Sequence, residues 1–228
     1  MTVRLLVNKL FHIGGGKVPV RNGQVVRSMV FSESGVYAED ETILLRSIQP
    51  SDKEAYLNIY RAKEIWKSIF ANSELNAGEG LWNDFNSPSI LNTVIIQKSD
   101  GAFCGFCGLQ EYTELEAPEL SIELVEEFQG RGYGTKALTL LMTRFAEVTG
   151  SKEFVSKVSC GNTASQRLMR KLGGKPNGIA PFPGVSESIL KMMEDDDTAH
   201  VPGAEVLAEE FMTTVRKLRS HVLVFKFS

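Results

Sequence analysis

The spacing of apolar positions changes period along the chain, and each change marks an element. From residue 41, "ETILLRSI" alternates as a strand and ends at "QPSDKE". Ser51, with Glu54 three positions on, predicts a capping box. The helix it opens carries Ala55, Ile59, Ala62, Trp66 and Ile69 on one stripe. After the polar stretch "ANSELNAGEG" comes a short "LWNDF" turn or helix, and then "LNTVIIQ", the turn "KSDGA" and "FCGFCGLQEY" form a two-stranded hairpin. "ELSIELV" is the next strand. Ala137, Leu138, Leu141, Phe145 and Val148 predict a helix over Thr135–Val148, "FVSKVS" is a strand, and Ala164, Leu168 and Leu172 predict a second helix over Thr163–Leu172, stopped by Gly173-Gly174.

The pattern is weaker at both ends. Residues 175–220 hold a short helix in "VSESILKMME", an acidic run, and a longer helix in "GAEVLAEEFMTTVRKLRS" with Ala204, Leu207, Phe211, Val215 and Leu218 in line. "HVLVFKFS" closes the chain as a strand. Residues 1–40 are turn-rich, and Asn22-Gly23 is a hairpin signal, so the segment reads as an appended β-ribbon. The expected organisation is an N-terminal extension over 1–40 and an α/β (α+β) layered domain over 41–228, with an irregular helical insert at about 175–220.

Composition narrows the function classes. Of 228 residues, 43% are hydrophobic and 23% charged, an ordinary globular balance. The net charge of −3 supplies no basic field for nucleic acid, so no nucleic-acid partner is expected. No apolar run approaches the roughly 18 residues of a membrane span, and "MTVRLLVNKLFHI" lacks a small-residue cleavage site, so no membrane partner or signal peptide is expected. Three cysteines make no disulfide framework, which favours a reducing, cytoplasmic location. Cys104 and Cys107 stand three apart on a strand, on opposite faces, and read as packing residues. His12, His200 and His221 show no metal-ligand spacing, and no metal is expected. "GGGK" in the first segment lacks the Ser/Thr and the glycine spacing of a phosphate loop.

The strongest chemical signal is "EEFQGRGYGTKAL", residues 126–138. A strand runs into a glycine-rich bend that opens a helix, so main-chain N–H groups and the helix dipole converge on one point. That arrangement suits a phosphate or pyrophosphate. Gly132 and Gly134 let the backbone approach the ligand, and Arg131 and Lys136 add positive charge. A dinucleotide fingerprint fits less well, because Thr135 stands where it needs a third glycine and the turn lies past the chain's midpoint. A merely structural turn is the plainest alternative.

Gln129-Gly130-Arg131-Gly132-Tyr133-Gly134 resembles the Q/R-x-x-G-x-G/A signature of the GNAT acyltransferase superfamily, and residues 41–172 follow that family's element order. "CGNTASQRLMRKLGG" is similar to its later N-x-x-S/A segment, and "PELSIELVEEFQGRGYG", with Glu119 ten residues before Gln129, is similar to the Rim-type branch. The resemblance implies a mixed, mostly antiparallel central sheet flanked by helices, with acetyl-CoA as co-substrate. Its diphosphate would lie on Gln129, Gly130, Arg131, Gly132, Tyr133, Gly134 and Thr135. It also implies that the preceding strand splays from its neighbour, so that main-chain groups among Ile122, Glu123, Leu124 and Val125 meet the pantetheine arm, and that Asn162 and Ser165 approach the arm and its sulfur. Asn162 is equally a helix cap. The family often carries a tyrosine proton donor seven residues beyond that asparagine, where this chain has Met169; Ser165 is the substitute.

Acetylation needs an uncharged amine. Deprotonating a lysine-like amine of pKa ~10.4 costs about 4–5 kcal/mol at neutral pH, against about 1 kcal/mol for an α-amine near ~7.8. Glu119, Ser121 and Glu123 share one strand face, and Glu119 is the leading candidate base, with a salt-bridged surface role as its rival and Glu123 in reserve. Trp66, Glu74, Glu79, Trp82 and Asp84 are candidates to line the acceptor pocket. The run Glu194-Asp195-Asp196-Asp197 is either an attractor for a cationic substrate or a solvated loop. The expected activity is N-acetylation of a primary amine, on a protein N-terminus, polyamine or small molecule. The alternative is a catalytically weak CoA-binding or interaction module. The late helix or the N-terminal segment is a candidate homodimer contact.

Overall fold

The computed structural model describes residues 23–63, 76–112 and 117–228, and these form two compact units, 23–152 and 153–228. The first is built on five strands: β1 (Val36–Glu39), β2 (Ile43–Arg46), β3 (Ile90–Gln97), β4 (Phe103–Gln110) and β5 (Glu119–Leu124). Each pairs antiparallel with the next, from Val36 opposite Arg46 through Cys107 opposite Ile122. Its helices are α1 (Gly23–Val30), α2 (Lys53–Arg61), α3 (Ala77–Phe85) and α4 (Tyr133–Thr149).

Helix α4 packs across β1, β2, β4 and β5, and buries Ala137, Leu138, Leu141 and Phe145, as the spacing requires. It ends at Gly150, whose φ of 72° forms a left-handed cap. Tyr37 in β1 donates to Leu141 O at 2.9 Å, and burial drives its phenol pKa far above the usual range. Helices α2 and α3 gather a separate aromatic cluster, with Tyr56 stacked on Phe85 (4.1 Å between ring centres) and Phe85 edge-on to Phe106 of β4 (4.8 Å).

Several sequence expectations need correction here. The hairpin signal at Asn22-Gly23 is overridden: Gly23–Val30 is helix, held by Arg144, which donates to Val30 O at 3.2 Å and Met29 O at 3.1 Å. Val36–Glu39 then joins the main sheet, so the described part of 1–40 is a helix and a sheet strand rather than a separate ribbon. Residues 1–22 lie outside the described set. Ahead of α2, the turn is a 3₁₀ helix at Pro50–Asp52, and the carboxylate that caps it belongs to Asp52, not Glu54. Asp52 accepts the Gln49 N–H at 2.7 Å and a two-pronged pair from Arg46 at 2.7 and 2.8 Å. That pair outcompetes the Ser51 box because it is buried and charge-assisted. The buried face of α2 is Tyr56, Leu57 and Ile59, while Ala62 is exposed. Trp66, Ile69 and Glu74 lie outside the described residues.

The second unit carries β6 (Phe154–Ser159), α5 (Thr163–Lys171), β7 (Lys175–Pro181), α6 (Glu187–Asp195), α7 (Ala204–Glu210), α8 (Val215–Leu218) and β8 (His221–Phe227). β8 is the middle strand, antiparallel to both β6 and β7. The sequence pattern conceals β7, because Pro176 and Pro181 cannot donate to a ladder and Gly178 interrupts it; such residues are tolerated at an edge. Gly174 just before it is a tight fit, since a Cβ there would lie 2.7 Å from the Phe227 ring.

The long helix expected over 203–220 is two short ones. Met212 at φ 50° breaks it, and Thr214 caps the second piece by accepting the Lys217 N–H at 3.3 Å. α5 buries Gln166 and Met169 rather than Ala164, which is exposed. The acidic run starts on α6, where Glu194 is buried, and continues through the exposed Asp195, Asp196 and Asp197. Glu194 pairs with Lys217 at 2.8 Å, Asp195 with Arg216, and Asp197 with Arg219 at 2.7 Å. Cations carried by α8 and the residue after it thus pair with three of the four carboxylates.

Candidate active site

Glycine conformation shapes the turn after β5. Phe128 packs edge-on against Tyr133 at 5.4 Å, clamping the two ends of the loop, while Tyr133 Oη donates to Gln97 Oε1 at 2.7 Å. Between them Gly130 and Gly132 adopt φ of 69° and 88°, a region that side-chained residues avoid. A Cβ placed at either would meet nothing within 4 Å, so the loop's inner surface is bare backbone facing open space. The first helical amide taken within the chain is that of Lys136, which donates to Gly132 O at 3.1 Å. The N–H groups of Tyr133, Gly134 and Thr135, ahead of it in the first turn, have no i−4 carbonyl within the helix. Bare amides, a helix N-terminus and open space fit a diphosphate.

The two cations expected to assist are already engaged. Arg131 donates to Glu127 O at 3.2 Å and lies 5.7 Å from both the Phe128 and Tyr133 ring centres, so it braces the loop. Lys136 bonds Thr42 Oγ1 and sits 3.4 Å from Asp40. Two main-chain N–H bonds, from Ile43 and Thr42, and the Lys136 charge hold Asp40 below the ordinary carboxylate range against a desolvation cost that is the largest single influence. Main-chain dipoles, rather than free side-chain charge, therefore dominate the turn's pull on an anion.

Upstream of the turn the strand presents its groups alternately. Val125 N–H bonds Cys104 O at 2.9 Å, which directs the N–H and C=O of Leu124 away from β4. Leu124 O accepts Gln129 Nε2 at 3.0 Å, so Gln129 ties the strand end to the loop. Of the four positions implied for the pantetheine arm, Ile122 and Leu124 thus present main-chain groups on the edge away from β4, and Val125 spends its amide inside the sheet. Gly105 makes the close approach behind this possible: a Cβ there would lie 2.1 Å from Glu123 O.

Glu119 is half-buried opposite Gln110, on the face of Ser121, whose Oγ bonds Gly108 O at 3.3 Å. Glu123 is paired with Lys63 at 2.7 Å, which engages the reserve base. Trp82 packs 5.8 Å from Tyr56 and from Phe85, and Glu79 pairs with Lys53. In the second unit, Asn162 caps α5 by accepting the Ser165 N–H at 3.0 Å. Met169 is 2% exposed.

Residues 42–175 match the family model for the acetyltransferase (GNAT) domain. The chain belongs to the GNAT acetyltransferase family. As a GNAT protein it is an acyltransferase, with acetyl-CoA as co-substrate. Similar solved structures include the spermidine N-acetyltransferase of Vibrio cholerae in complex with CoA and spermine, at 15% identity over 82% of this chain and 96% of that one, with a TM-score of 0.56. RimJ of Mycobacterium smegmatis, in complex with CoA-disulfide, is 17% identical over 81% of each chain, with a TM-score of 0.53. RimL, a ribosomal L7/L12 alpha-N-protein acetyltransferase in complex with coenzyme A, is 16% identical over 84% of this chain and 96% of that one (TM-score 0.54). At these identities the likeness is one of fold. No curated protein sequence matches the chain.

Proposed function

We propose that this GNAT protein transfers the acetyl group of acetyl-CoA directly to a primary amine, with an α-amine as its favoured acceptor. The observation that carries the proposal is the turn at 129–135, where two left-handed glycines leave bare amides facing open space at a helix N-terminus. Gln129 to Thr135 would hold the diphosphate, and the main-chain groups of Ile122 and Leu124 that point away from β4 would meet the arm. Glu119, half-buried on the strand face of Ser121, would take the amine's proton. The spermidine and ribosomal-protein enzymes of similar fold offer two acceptor classes. Among the described candidates, Glu79, Glu194, Asp195 and Asp197 each pair with a cation, which weakens their pull on a polycation. An α-amine also needs only about 1 kcal/mol for deprotonation at neutral pH.

A panel of peptides with free N-termini, a peptide with only a lysine amine, and spermidine, each incubated with acetyl-CoA and read by product mass, tests this. Acetylated peptide N-termini are expected to dominate. Binding of acetyl-CoA without acetylation of any amine would sink the proposal.

A further inference from the structure

The pair between Lys63 and Glu123 does more than occupy a carboxylate. Lys63 follows the end of α2, and its N–H donates to Tyr60 O at 2.9 Å, which roots the side chain on the last turn of the helix. The helix itself is fixed over the sheet, because the Tyr56 ring lies 5.2 Å from Phe106, and Phe106 of β4 stands opposite Glu123 of β5. From that root Lys63 Nζ donates to Glu123 Oε1 at 2.7 Å and lies 5.3 Å from the centre of the Tyr60 ring. The structure thus holds a primary ammonium on β5, against a carboxylate and an aromatic ring.

Where on the strand that ammonium sits gives it chemical meaning. Glu123 stands between Ile122 and Leu124, the two residues whose main-chain groups point away from β4 and would meet the arm of acetyl-CoA. Each lies one strand rise from Glu123, about 3.3–3.4 Å along the chain. Both side chains of the pair are 39% exposed, so an acyl group carried by the arm can approach Nζ. Three other lysines of the unit are held elsewhere: Lys53 pairs with Glu79 of α3, Lys98 with Glu39 of β1, and Lys136 with Asp40. Of these four lysines, Lys63 alone has its carboxylate partner on β5. Every residue of the arrangement belongs to the 23–152 unit.

Resting on the acetyltransferase proposal above, we propose that Lys63 is itself an acceptor: the protein acetylates its own Nζ from bound acetyl-CoA. The ammonium gives one proton to Glu123, and the freed lone pair attacks the thioester carbonyl. As the C–N bond forms and the C–S bond breaks, a second proton passes from nitrogen through solvent to the departing sulfur, and the amide keeps the third. Glu123 returns its proton to water, and nothing is oxidised or reduced. The product carries no charge on Nζ, so the Glu123 carboxylate loses its ion-pair partner. At neutral pH only about one alkyl amine in 10³–10⁴ is uncharged. An intramolecular reaction can offset that scarcity, since effective molarities of roughly 10⁵–10⁸ M are reached when the groups are well oriented. A lysine on another molecule lacks this advantage, so the preference for α-amines among external acceptors stands.

Parent protein incubated with acetyl-CoA and no other amine, then digested and read by peptide mass spectrometry, tests this. Lys63 should gain an acetyl group roughly tenfold or more faster than Lys53, Lys98 and Lys136 of the same chain. The first-order rate constant should be the same at every protein concentration, as transfer within one molecule requires. Glu123→Gln should slow the modification by roughly 10²–10⁴-fold, the range for a general acid–base group. Gly132→Glu, which places a carboxylate in the proposed diphosphate seat, should reduce it to the rate of the three reference lysines. A parent that binds acetyl-CoA and acetylates peptide N-termini, yet modifies Lys63 no faster than the reference lysines, overturns the self-acetylation alone, whether or not the variants fold. So does a rate constant that rises with protein concentration, which marks transfer between molecules. A parent that does not bind acetyl-CoA overturns the self-acetylation and the acetyltransferase site together.

Discussion

At the scale of single residues, Gly132 is the sharpest point of the site. Its φ of 88° is left-handed, and a side chain there would enter the open space proposed for the diphosphate. Gly132→Ala should cost about 1–2 kcal/mol of stability from backbone strain alone. Gly132→Glu adds a carboxylate where an anion must sit, so acetyl-CoA binding by calorimetry should be lost while the circular dichroism of the fold persists. Retained micromolar affinity would rule out the site. The side-chain charges tell the opposite story. Arg131 and Lys136 look from the sequence like phosphate ligands, yet one braces Phe128 and Tyr133 and the other is tied to Asp40 and Thr42. Sequence shows that a charge is present, not what already neutralises it.

Among the elements, those built on a clean period were legible and those built on compensation were not. Helix α4 and strands β3 to β6 fall where the apolar spacing puts them: α4 and β6 bury one regular face, and the apolar runs of β3 and β4 are buried on both. The helix at Gly23–Val30 replaces a hairpin signal because Arg144, more than a hundred residues away, donates to its C-terminal carbonyls. Strand β7 hides behind two prolines, and the 203–220 helix breaks at Met212. The candidate site divides the same way. Its glycine turn is a local motif and could be read directly, whereas the ties of Lys136 to Asp40 and Thr42 and of Tyr133 to Gln97 join residues far apart in the chain and carry no local signature.

The hydrogen bonds that hold the acidic run also make the α6–α8 segment sensitive to acid. Hydrogen bonds from Lys217 and Ser220 hold Glu194 below its ordinary value of 4.5, and hydrogen bonds from Thr198 hold Asp196 below 3.8. A depressed carboxylate pKa contributes stability that is complete above the unfolded value and lost as pH falls through the folded one. Amide exchange in 187–218 should therefore accelerate as pH drops below about 4.5, beyond the intrinsic rate change. Protection that is flat down to pH 2.5 would show the pairs contribute nothing.

For the molecule as a whole, ligand linkage offers the broadest check. Acetyl-CoA at 100 times its Kd should stabilise the folded chain by about 2.7 kcal/mol, a rise in Tm of about 5–11 °C for a chain of this size. The rise should vanish in Gly132→Glu. An unchanged Tm in the parent at saturating acetyl-CoA would count against the assigned co-substrate site. A practical advantage follows from the cysteines. Cys104, Cys107 and Cys160 are all buried and unpaired, and burial pushes their thiols up to about 11, about 12 and about 11. Native protein should therefore be silent toward disulfide dyes at neutral pH, so colour developed in a continuous assay will count liberated coenzyme alone, one mole per turnover.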